Sequence, residues 1–165
     1  MRGSLAAMIE PEISPWTEPE LRLGFRELAD AARREGHEFL FRMETEWREG
    51  GLRFDSPGEC LFIARLESGL VGLSGICRDP YQPREDIGRL RHVYVDASFR
   101  SRGLGRRLVL ACLSTAGARF HSIRLKTLNP VAAGLYERIG FHAVLEDGEP
   151  VTHVLRRGDV YRDVG

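Results

Sequence analysis

Apolar positions change period several times along the chain, and each change marks an element. From Glu20 to Arg34, Leu21, Phe25, Leu28, Ala31 and Ala32 recur at helical spacing, and Gly36 ends the pattern. A second helical stretch over 38–49 carries Phe39, Leu40, Met43 and Trp47, and Gly50-Gly51 closes it. Residues 60–66 and 70–77 are largely apolar and strand-like around Glu67-Ser68-Gly69, which predicts a hairpin. A strand from about Arg89 to Val95 leads through a polar turn into a helix from Gly103 to about Ala118. Leu104, Leu108, Ala111, Cys112 and Thr115 share a face of that helix. A strand at 123–127, a helix from Asn129-Pro130 to Ile139, and strands at 141–145 and 152–155 complete the pattern, with a turn at 146–150. Near the start, 8–13 alternates weakly as a short strand. Ser14-Pro15 then reads as a turn, with a helix start at Thr17 or Glu18.

The order β-α-α-β-β-β-α-β-α-β-β, without repeats or a linker, suits one α/β (α+β) domain over 1–165. Its length allows a sizeable core. The glycines do not fall in an early βαβ unit, so a dinucleotide-binding Rossmann fold is excluded. Lys+Arg and Asp+Glu both total 24, which gives no bulk charge for nucleic acid or a membrane surface. No apolar run is long enough to span a bilayer or to act as a signal peptide. Cys60, Cys77 and Cys112 are odd in number and widely spaced, so buried free thiols in a cytoplasmic setting are expected. Lys126 is the only lysine, which argues against lysine-based covalent chemistry. His37, His121, His142 and His153 have no metal-ligand spacing, and surface positions and no metal are expected.

Local charge is more informative. Val93-Tyr94-Val95 precedes Arg100-Ser101-Arg102-Gly103-Leu104-Gly105-Arg106, a strand, an Arg-x-x-Gly-x-Gly turn and a helix start. Glycine lets a backbone approach a ligand closely. The first N–H groups of a helix lack intrahelical acceptors at the positive end of its dipole. Such a turn suits a pyrophosphate.

Val93-Tyr94-Val95 with Arg100-x-x-Gly103-x-Gly105 resembles the acyl-CoA motif of the GNAT N-acetyltransferases. Asn129-Pro130, Leu135-Tyr136-Glu137 and Gly140-Phe141 resemble their second signature, in the right order and on the right elements. The resemblance implies a mixed sheet of six to seven strands, split into a V between its fourth and fifth strands, with about four helices. The motif-bearing core is then about 60–157, and 14–50 forms a helical cover over the acceptor site. It implies acetyl-CoA as co-substrate, with Val93, Tyr94 and Val95 along the pantetheine arm and residues 100–106 around the pyrophosphate. Asn129 lies near the pantetheine, and an N–H of Val93 or Tyr94 serves the oxyanion. Tyr136 stands where the family's general acid does; a phenol of pKa about 10 can protonate a thiolate of about 8.5.

The activity implied is acetyl transfer to a primary amine of a small molecule or protein, by direct attack in a ternary complex, with a homodimer as the family's habit. A non-catalytic acyl-CoA sensor or docking module is the alternative. Arg89 and Arg91 occupy the family's usual base positions and cannot act as bases. Glu85 or Asp86 acting through water, or water alone, is left for that role. Arg89 or Arg91 becomes a candidate for a carboxylate or phosphate on the acceptor. Alternation puts Arg89, Arg91 and Val93 on one face and Leu90, His92 and Tyr94 on the other, which makes His92 a core-edge residue. Phe39 and Trp47 could line the acceptor site or serve as core, and Glu44, Glu46 and Glu49 read as a solvated face.

Overall fold

A computed structural model describes residues 9–16, 24–117, 119–144, 151–156 and 158. Seven strands form one sheet in the order β1-β2-β3-β4-β5-β7-β6. They are β1 (Glu12–Pro15), β2 (Cys60–Leu66), β3 (Gly69–Arg78), β4 (Ile87–Val95), β5 (Ser122–Leu125), β6 (His142–Ala143) and β7 (His153–Arg156). Among the described residues four helices accompany them: α1 (Phe25–Arg34), α2 (Phe39–Arg48), α3 (Leu104–Ala116) and α4 (Pro130–Ile139). All neighbouring strands are antiparallel except β4 and β5.

The parallel pair is what opens the sheet. Ile87, Gly88 and Arg89 pair with Ser122, Ile123 and Arg124, and β4 then runs on to Val95 without β5 beside it. The expected V between the fourth and fifth strands is this splay.

Strand alternation sends side chains to two cores. On one face Leu61, Ile63, Leu73 and Cys77 pack beneath Phe25 and Leu28 of α1 and Leu40, Met43 and Trp47 of α2. On the other, Cys60, Ile76 and Leu90 pack beneath Val109, Cys112 and Leu113 of α3 and Tyr136 and Ile139 of α4. Close approach on this side needs glycine at 88, where an added Cβ would sit 2.8 Å from the Phe120 ring. All three cysteines are buried and free.

Three sequence readings are corrected here. Residues 14 and 15 belong to β1 rather than to a turn; proline is accommodated because β1 is an edge strand. The buried face of α3 is Leu104, Leu108, Val109, Cys112, Leu113 and Ala116, while Thr115 is exposed. His153 is buried between Thr152 and Glu137 rather than at the surface. The helix start near Thr17 and Glu18 and the turn at 146–150 lie outside the described residues.

Candidate functional site

The end of β4 is built to deliver an uncapped helix. Asp96 accepts a hydrogen bond from the Ser98 N–H (3.0 Å) and starts a single 3-10 turn, Ala97–Phe99. Ser101 and Gly103 then take left-handed conformations (φ 63° and 78°), turning the chain into α3. Among the described residues no side chain caps α3, and its first intrahelical bond is from the Arg107 N–H to the Gly103 carbonyl. The N–H groups of Leu104, Gly105 and Arg106 therefore precede any i−4 acceptor, the arrangement that binds anions.

The arginines of this turn have different duties. Arg102 rides over the Phe99 ring (5.6 Å), and Arg107 pairs with Glu10 (2.9 Å). Arg100 departs from the expected phosphate contact. Its Nη1 and Nη2 grip both oxygens of Glu35 (2.7 and 2.6 Å), and its Nε donates to the Val95 carbonyl (2.9 Å). It is a strut from the end of α1 to the end of β4.

Gly105 marks the cleft. A Cβ there would lie 3.6 Å from Val95 and 3.7 Å from Leu135, between the splayed strand and α4. Those are ordinary contacts, so the fold itself does not demand glycine. An extended acyl-carrier arm with a pyrophosphate fits these features: open backbone along β4 and free amides at the start of α3.

A β-bulge controls which groups β4 offers. Register passes from Leu73↔Tyr94 to Gly75↔Arg91, so β4 carries one extra residue, and His92 within it has φ 59°. The Asp96 N–H donates to the Val71 carbonyl, so with period two Tyr94 bonds β3 while Val93 and Val95 turn their backbone groups to the open edge. Two expectations change. Tyr94 cannot give its N–H to an oxyanion, and the Val95 carbonyl is already occupied by Arg100. Val93 and the Val95 N–H are what the open edge presents.

The bulge also breaks the simple alternation. Leu90 and Val93 pack on the α3–α4 side, while Arg91, His92 and Tyr94 all face α1 and α2. His92 thus shares a face with Arg91. Its ring stacks on Phe39 (6.2 Å, 25°) and meets Phe54 edge-on, and among the described residues its buried Nε2 has no hydrogen-bond partner. Burial, with the charges of Arg91 and Arg42, pushes its pKa down to about 3, so it is neutral. The Tyr94 hydroxyl donates to Glu35; burial and that carboxylate hold its pKa well above the usual phenol range. Arg100 and Tyr94 in turn pull Glu35 down to about 2.

Arg89 is taken up by the fold. It lies 3.8 Å from the fully buried Asp79, which also faces Arg124 at 3.8 Å, and it stacks over Tyr81. Arg91 is partly exposed and touches Glu46 at 3.5 Å, so Glu46 is not merely a solvated residue. Phe39 stands at the bulge, but Trp47 is core, 8% exposed and packed with Trp16.

On α4, Asn129 caps the helix, its Oδ1 accepting from the Val131 N–H (2.9 Å), which leaves the amide nitrogen outside the cap. Tyr136 is buried against Phe141, and burial pushes its phenol up to about 12. Glu85 and Asp86 are not brought to this place. They precede β4, six or more residues from His92, roughly 20 Å along an extended strand. Glu85 lies 3.7 Å from Arg78, and the hydrogen bond from Arg84 holds Asp86 below the usual carboxylate range. Glu35, Arg42 and Phe54 were not singled out by the sequence. The only local hint of Glu35 is its place beside the Gly36 break.

Among the described residues no group of three His, Cys, Asp or Glu side chains could hold a metal, and no helix is long and apolar enough to cross a membrane. Residues 57–143 match the family model for the acetyltransferase (GNAT) domain. The N-alpha-acetyltransferase RimI of Mycobacterium tuberculosis is 31% identical over 131 residues, 78% of this chain and 82% of that protein. An uncharacterised Mycobacterium leprae protein is 34% identical over 85 residues, but the chain matches only 23% of its length. A crystal structure of a candidate acetyltransferase from Exiguobacterium sp. 255-15 superposes with TM-score 0.79 at 26% identity, covering 91% of this chain and 95% of that one. The PaiA N-acetyltransferase of Thermoplasma acidophilum, solved with coenzyme A, shares the fold at TM-score 0.67 and 16% identity, over 90% of this chain and all of that one (100%).

Proposed function

We propose that this chain, which belongs to the GNAT acetyltransferase family, moves an acetyl group from acetyl-CoA to a primary amine by direct attack. The observation that carries the reading is the edge of β4 left without β5 beyond Arg89, leading through Gly103 to the uncapped start of α3 with its free N–H groups. The N–H groups of Leu104, Gly105 and Arg106 hold the pyrophosphate, the Val93 carbonyl and the Val95 N–H pair with the pantetheine arm, and Asn129 offers its amide nitrogen. Acetyl-CoA supplies an activated thioester. A C–N bond forms as the C–S bond breaks, with one proton leaving nitrogen and one reaching sulfur.

The Val93 N–H is the donor for charge developing on the carbonyl oxygen. Tyr136 keeps its proton on Oη throughout the physiological range and donates it to sulfur. Against a thiol of about 8.5 in water, a phenol at about 12 is roughly 3.5 units uphill, or ~5 kcal/mol. The transfer becomes practicable because the same apolar surroundings disfavour the thiolate. No described side chain at the bulge is a good base: Glu35 is tied to Arg100, Glu46 to Arg91, and His92 is a weak base. The amine proton is therefore passed to water. The name of the tuberculosis relative supports an α-amino group as one acceptor class. Three buried free thiols favour a reducing, cytoplasmic setting.

The test is to incubate the protein with acetyl-CoA and a panel of primary amines, following free CoA thiol and acetylated product together. Equal amounts of both support transfer. Tight acetyl-CoA binding without turnover favours a sensor module instead.

A further inference from the structure

We infer that the α2 side of the bulge binds a carboxylate carried by the acceptor amine, gripped by Arg42, Arg91 and Nε2 of His92. This rests on the acetyl-transfer reading and names the class of acceptor it serves.

The inference follows from where the charges on α1, α2 and β4 go. Arg26 and Arg48 both reach Glu44 (3.0 and 3.4 Å), Arg33 pairs with Glu38 (3.0 Å), Arg100 with Glu35, and Arg89 lies beside Asp79. Among the described residues Arg91 has one carboxylate contact, Glu46 at a long 3.5 Å, and it also reaches the Cys77 thiol. Burial pushes that thiol up to about 11, so it brings no negative charge. Arg42 precedes Glu46 by one helical turn on α2, is exposed, and is close enough to His92 for its charge to be felt there. Arg42 therefore adds a second cation beside His92, while the carboxylate contact of Arg91 among the described residues is the long one to Glu46.

His92 supplies an independent sign. A buried ring nitrogen without a partner is costly and uncommon in a folded chain. Here it is held in place by Phe39 and Phe54 on a backbone of φ 59°. A neutral imidazole can present an N–H at Nε2, which suits a carboxylate oxygen. Guanidinium groups give charge-assisted bonds to the same oxygens. The anion would be anchored beside the strand whose open edge carries the thioester.

The experiment compares matched acceptors: glycine, β-alanine and aminohexanoate against their amides, and a neutral tetrapeptide with a free C-terminal carboxylate against its C-terminal amide. The inference predicts kcat/KM at least about tenfold higher for acids than for amides. Arg42→Gln and Arg91→Gln should bring acids down to the amide level, mainly through KM, with amide turnover little changed. Arg91→Lys should recover part of the preference, and Arg48→Gln should behave as wild type. Preference confined to free amino acids or to the peptide tells which molecule brings the carboxylate. Equal turnover of acids and amides, or a preference that survives both arginine variants, overturns the inference while leaving acetyl transfer intact. Acetyl-CoA binding with no turnover of any acceptor overturns the transfer reading, and this inference with it.

Discussion

Gly105→Ala separates what the fold needs from what the ligand needs. The new Cβ would meet Val95 at 3.6 Å and Leu135 at 3.7 Å, ordinary van der Waals distances, and Gly105 has no left-handed backbone to strain. Alanine also narrows the unfolded ensemble and suits a helix, which gives about 0.4–1 kcal/mol of added stability. For a chain of this size that is a rise in Tm of roughly 1–4 °C. The same methyl adds bulk between β4 and α4, beside the amides proposed to hold the pyrophosphate. KM for acetyl-CoA should therefore rise, by on the order of tenfold if about 1.4 kcal/mol of binding is lost. Thermal unfolding and steady-state kinetics with acetyl-CoA varied would be read on one preparation. A lower Tm would show that the glycine serves packing; an unchanged KM would show that acetyl-CoA does not lie against Gly105.

Other consequences are as direct. Glu35→Gln removes the charge from the strut to Arg100 and Tyr94; because the pair is partly exposed, the loss at pH 7 is about 1 kcal/mol, read by urea unfolding. The folded carboxyl is depressed from 4.5 to about 2, so its contribution is complete above about pH 4.5 and lost as pH falls toward 2. The gap between wild type and variant should close over that window, and a gap that widened in acid would refute the strut. Tyr136→Phe should lower kcat by roughly 10²-fold or more while leaving KM for acetyl-CoA nearly unchanged, as expected for a general acid. Asp79→Asn leaves Arg89 and Arg124 facing each other around a neutral buried side chain and should destabilise the fold by about 3 kcal/mol or more, measured by chemical denaturation.

What the sequence made legible was set by local pattern. The hairpin of β2 and β3, the helices α3 and α4 and the turn at 100–105 all carry their own periodicity, glycines or caps, and the structure builds each close to the expected residues. The bulge at His92 has no such mark. Strict alternation through 89–95 is a natural reading, and the extra residue becomes visible only when β4 is laid against β3. Arg100 was legible as a cation but not as the partner of Glu35, because 65 residues separate them and only the packing of α1 against β3 and β4 brings them together. Arg89 and Arg91 look equivalent as a pair on one face. Asp79, at the end of β3, takes the first into the fold and leaves the second near the bulge.

The central claim is that the edge of β4 freed by its splay from β5 and the uncapped start of α3 together hold acetyl-CoA. Backbone amide resonances followed during titration with coenzyme A test it most directly. The account predicts the largest shifts at Leu104, Gly105 and Arg106, with Val93 and Val95 next, and little change at Tyr94, whose N–H is bonded to β3. Saturable binding that moved resonances elsewhere and left the start of α3 unchanged would contradict it.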